Sequence, residues 1–139
     1  MNTKVLVGGI VGAIVMFLLG WLIYGVLMGS MMEDMPEPTS MGLLWFFIAD
    51  LAVGLLLAYI YTKWAGISTA MGGAKAAIII GLLMAIWVDG FAMGMPEMYA
   101  EGYQMTIPMM LMDVVIQVVI VAAAGAAIGW YLGRGKAAE

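Results

Sequence analysis

From Val5 to Met32 the chain carries no charged side chain, and this stretch decides the solvent in which the protein folds. An α-helix rises 1.5 Å per residue, so about 20 apolar residues cross the hydrocarbon core of a bilayer. The stretch is longer than that. It is also too long for a cleaved signal peptide, and no small-residue cleavage pattern follows it. Hydrophobic residues make up 65% of the 139-residue chain and charged residues 10%. Soluble domains run near half apolar and a quarter charged. The chain has too few charges to cover a water-facing surface, and the lipid bilayer is the partner this composition fits.

Three further apolar segments follow, separated by helix-breaking or helix-capping residues. Pro36 and Pro38 interrupt any helix, and Thr39 or Ser40 can cap the next one. The segment Trp64 to Thr69 is a short turn with Ser68 as its expected N-cap. Thr106 followed by Pro108 makes a strong helix start. The predicted fold is all-α: a polytopic, antiparallel bundle of four transmembrane helices in one domain covering residues 1–139. The helices are expected at about 5–29, 41–63, 71–93 and 107–132.

Orientation follows from the basic residues, of which there are 5. Lys4, Lys63, Lys75, Arg134 and Lys136 all fall at helix ends that a four-span chain places on one side. The opposite loops hold Glu33, Asp34, Glu37, Glu97 and Glu101 and no base. The positive-inside rule then puts both termini in the cytoplasm and the two acidic loops outside. Trp64, Trp130 and Tyr131 fall at the inner interface and Trp45, Trp87, Tyr99 and Tyr103 toward the outer one, as an aromatic belt requires.

Helices in lipid gain little from burying apolar surface against one another, so close packing depends on small residues. These recur four apart: Gly8, Gly12, Met16 and Gly20 in the first helix; Gly73, Ala77, Gly81 and Ala85 in the third; Gly125, Gly129 and Gly133 in the fourth. The two halves of the chain also read alike. Each is a helix, a methionine-rich acidic loop and a helix, with Asp50 and Asp113 at matching places. Two tandem hairpins related by an axis along the membrane normal would produce this pattern.

The chain has no cysteine and no histidine. Disulfides, thiolate nucleophiles and the usual general base are excluded, along with the commonest zinc and haem ligands. An enzyme is therefore not expected, and no phosphate-binding pattern or nucleic-acid patch is present. Chemistry falls to the carboxylates inside the spans. Placing a charge at the centre of a membrane helix costs at least about 2.5 kcal/mol, yet Asp50, Asp89 and Asp113 all lie in predicted spans. Asp89 continues the Gly81–Ala85 row, Asp50 heads a row through Gly54, Ala58 and Thr62, and Asp113 has Gln117 one turn on along the same face. No base lies in that half of the bundle. Either the carboxyls join helices through hydrogen bonds near the interface, or the four residues bind a proton or a cation entering from outside.

Twelve of the 16 methionines lie in or beside the outer loops. Thioethers are soft ligands that favour Cu(I). Met31, Met32 and Met35, or Met93, Met95 and Met98, are spaced closely enough to share an ion. The same residues also suit an adaptable apolar lid or partner surface.

The motifs GWLIYG (Gly20 to Gly25), IAD followed by GLLLAYIY (Ile48 to Tyr61) and GAAIGWYLG (Gly125 to Gly133) resemble an uncharacterised bacterial membrane family, domain of unknown function 1761. The resemblance covers nearly the whole chain, with Ile23 standing where the family pattern leads one to expect tryptophan. It implies a four-helix fold and a bacterial inner membrane, with no activity attached. Two functions remain open: a non-enzymatic accessory module acting as a homo-oligomer or within a larger membrane complex, and a small transporter or ion-binding protein using the intramembrane aspartates.

Overall fold

The structure, a computed structural model, describes residues 2–31, 37–95 and 104–134. Among the described residues it is wholly helical. Helix α1 (Thr3–Gly20) continues without a break into a π-helical segment, Trp21–Leu27, and a single 3-10 turn follows at Gly29–Met31. Helix α2 (Ser40–Ile60) likewise ends in a π-helical segment, Tyr61–Ala65. Helices α3 (Ala70–Gly94) and α4 (Ile107–Gly133) are regular. With their extensions the four helices run 25, 26, 25 and 27 residues, each long and apolar enough to cross a membrane, as in a multi-pass membrane protein.

The starts of the helices are set by side-chain caps that satisfy otherwise unpaired N–H groups. The Asn2 side chain accepts from the Lys4 amide at 3.1 Å, so α1 begins at Thr3, ahead of the expected Val5. Thr39 accepts from the Gly42 amide at 3.1 Å, and Thr106 from Met109 at 3.4 Å. Helix α3 is capped by Thr69, which accepts from the Gly72 amide at 3.1 Å, and not by Ser68 as the sequence suggested. One residue decides the matter, because only Thr69 carries the extended backbone of a cap immediately before the first helical residue. Gly66 closes the second helix with φ of +62°, a left-handed conformation that glycine adopts at little cost.

Packing follows the glycine rows. Helix α1 is antiparallel to α2: Gly8 faces Ala58, and Gly12 faces Gly54. A side chain at Gly54 would collide with the backbone carbonyl of Gly9. Helix α4 lies along another face of α1, with Ile128 filling the space beside Gly8 and Gly12. Helices α3 and α4 form the tightest seam, with Gly73 against Gly125 and Gly129, and Ala77 against Gly125. The order across the bundle is therefore α2, α1, α4, α3, with α1 and α4 central. No comparable seam joins α2 to α3. An exact duplication would make α2 pack on α3 as α4 packs on α1, so the resemblance of the halves does not extend to packing.

The largest enclosed side chains are Tyr61, Leu57, Ile128 and Val5, all toward one end of the bundle. There the Tyr61 hydroxyl donates to the Gly73 carbonyl at 2.6 Å, tying the end of the second helix to the start of α3. Antiparallel packing brings Lys4, Lys63, Lys75 and Arg134 to this same end. The outward faces carry large apolar side chains on every helix, among them Leu18, Trp45, Leu83 and Val115, a surface suited to lipid. Trp64 and Trp130 are exposed at the basic end, and Trp45 and Trp87 toward the other.

Candidate functional site

The α3–α4 seam sets up the site. Each step of four along α3 is met by a step of four back along α4: Gly73 faces Gly129, Ala77 faces Gly125, and Gly81 faces Val121. Continued by two turns, this register sets Ala85 beside Gln117 and Asp89 beside Asp113. The two carboxyls do come within interaction range of each other. Asp89 is only 3% exposed, the one buried charged residue among those described.

Helix α1 supplies the third member. The Tyr24 hydroxyl donates to Asp113 Oδ1 at 2.6 Å, in the distance range of a hydrogen bond to an ionised oxygen. Gln117 lies one turn along α4 from Asp113, on the same face. Tyr24 sits in the middle of the π-helical segment Trp21–Leu27. Such widened turns re-aim side chains and recur at functional sites. On the other side of the pair, Asp89 Oδ2 is fully enclosed and has no hydrogen-bond partner. A buried polar atom left unpaired costs roughly 1–3 kcal/mol, and more if charged.

Sequence reasoning named Asp89, Asp113 and Gln117, and the structure brings them together. Asp50 stays apart. It is half-buried on α2, with no hydrogen-bonding partner among the described residues, and α2 is a flanking helix that shares no seam with α3. The expected cluster of three aspartates is thus a pair. Tyr24 escaped notice because it lies in an apolar run and its partner is 89 positions away. The one available signal was a lone hydroxyl within GWLIYG on a span that had to face some neighbour.

The methionine sites take no comparable form. Met31, Met93 and Met95 are exposed, while Met32, Met35 and Met98 lie outside the described residues. A shallow hollow beside Met93 is lined by Ala92, Gln104 and Met105. Among the described residues, no three acidic side chains gather in the manner of a metal cage.

Chemically, two carboxyls in contact repel when both are ionised, and the repulsion grows in a low-dielectric interior. Among the described residues, no lysine or arginine faces the pair. Such a pair is stable with a proton between the two groups or with a cation beside them. Comparison of the chain with protein-family models, curated proteins and solved structures found no match, so the functional reading rests on this geometry.

Proposed function

We propose that the chain is a small, non-enzymatic membrane protein that takes up a proton or a cation at the Asp89–Asp113 pair, with Tyr24 holding Asp113 in place and Gln117 one turn along α4. The observation that carries this reading is the enclosed, unpartnered Oδ2 of Asp89 next to a second carboxyl. An intramembrane carboxylate that faces other helices is expensive, and such residues mark ion and proton sites. The missing histidine and cysteine support a binding role over a catalytic one. We assign both termini to the cytoplasmic side of a bacterial inner membrane. The gathering of Lys4, Lys63, Lys75 and Arg134 at one end supports that sidedness. The pair then lies in the outer half and is loaded from outside.

A ligand that binds only the folded state stabilises it, by about 2.7 kcal/mol at a hundred times its dissociation constant. Thermal unfolding of the detergent-solubilised protein, followed across pH and across Na⁺, K⁺ and Ca²⁺ series, tests the reading. Stability of the parent is expected to respond to at least one of these, and the response is expected to vanish in Asp89→Asn and Asp113→Asn but persist in Asp50→Asn. Parent and pair variants that respond alike to every ligand would sink it.

Self-association is a second reading, favoured by Gly20 and Gly90. Neither has anything within 4 Å of where a side chain would begin, which leaves room for the close approach of another helix. Crosslinking from single cysteines at these two positions checks it, and monomers alone would exclude it.

A further inference from the structure

Building on that reading, we infer that the ligand of the pair is a proton, carried on Asp89 and hydrogen-bonded to Asp113, and that Tyr24 is the positioning residue that makes Asp113 the acceptor. Three observations point this way.

The first is space. Asp89 Oδ2 is enclosed by protein on all sides, and the residue is 3% exposed. Metal ions such as Mg²⁺ and Ca²⁺ gather six or more oxygens at about 2.0–2.6 Å, which needs a cavity at the ligating atom. A hydrogen needs none.

The second is the supply of oxygens. Asp113 Oδ1 is already occupied by the Tyr24 hydroxyl at 2.6 Å, and that hydroxyl spends its hydrogen there. Among the described residues, what faces Asp89 from α4 is the rest of the Asp113 carboxyl, and Tyr24 stands nearby on α1. The flanking α2 contributes nothing, since Asp50 stands apart. No basic group faces the pair among the described residues. Among the described residues the side-chain oxygens left free fall short of a metal shell, whereas a single acceptor suffices for a proton.

The third is satisfaction of the orphan. A protonated carboxyl has one O–H donor. Placed on Asp89 it gives the unpartnered side of that carboxyl a bond, to the Asp113 oxygen that Tyr24 does not use. Uptake of one proton takes the pair from two negative charges to one, and release reverses it. No covalent bond other than O–H is made or broken.

Infrared difference spectroscopy of the full chain in lipid nanodiscs, titrated with acid, reads this directly through the carbonyl stretch of a carboxylic acid and its shift in deuterium oxide. Among the bands that acid brings up, one is expected that disappears in Asp89→Asn, survives in Asp50→Asn and is indifferent to Na⁺, K⁺ and Ca²⁺. In Tyr24→Phe the two carboxyls become competing acceptors, and the band is expected to split in two. Should Asp89→Asn fail to fold, Asp113→Asn serves instead: the Asp89 band should move in frequency because its acceptor is now an amide, and an unmoved band would overturn the assignment. A band bleached by a metal ion at fixed pH would make the site a metal site, overturning this inference while leaving the broader proposal of ion binding intact. Absence of any acid band that Asp89→Asn removes, together with absence of any metal response, would remove both.

Discussion

A methyl group added at Gly73 would meet the carbonyl oxygen of Gly125, backbone that cannot step aside without parting α3 from α4. Overpacking of this kind costs typically about 1–3 kcal/mol and sometimes more. Gly73→Ala is expected to lower the unfolding midpoint in detergent markedly, whereas Gly90→Ala, with open space around it, is expected to leave it unchanged; equal midpoints for the two would mean that the seam is not where the structure puts it. The contrast also shows how far single residues were legible in advance. Glycines four apart announce a packed stripe, and Asp89, next in that stripe, is buried for the same reason. Asp50 heads a stripe too, and Gly54 and Ala58 do pack on α1. Spacing reveals that a face is covered but not by which helix, so the isolation of Asp50 and the bond from Tyr24 to Asp113 were invisible until the order α2, α1, α4, α3 was known.

Helices as units were the easiest part to foresee. Four long apolar runs bounded by prolines, threonines and glycines lie within a few residues of their expected limits, because length and hydropathy alone decide what can span a bilayer. The ends required side-chain geometry. Thr69→Ala removes the cap of α3 and is expected to cost about 0.5–2 kcal/mol, while Ser68→Ala should cost close to nothing. Chemical or thermal unfolding of the two variants side by side measures this, and a larger loss for Ser68→Ala would reverse the assignment. The π-helical segments had no forewarning, since WLIYGVL and YTKWA contain no proline and no charge pattern that distinguishes a widened turn from a regular one. Each holds a tyrosine whose hydroxyl reaches another helix, Tyr24 to α4 and Tyr61 to α3.

For the molecule as a whole, the decisive asymmetry is the separation of four bases at one end from the carboxyl pair in the other half. A chain without cysteine makes the sidedness simple to read. In intact cells, Glu37→Cys is expected to react with a membrane-impermeant maleimide and Lys63→Cys only after lysis; the opposite pattern would place the acid pair in the half nearer the cytoplasm. The matched fours along α3 and α4 carry one last implication. Sliding one helix past the other by a single turn, 5.4 Å, would set Asp89 against Gln117 or Met109 and separate it from Asp113. The glycine seam is thus a ruler with discrete stops, and only one stop sets the two carboxyls side by side.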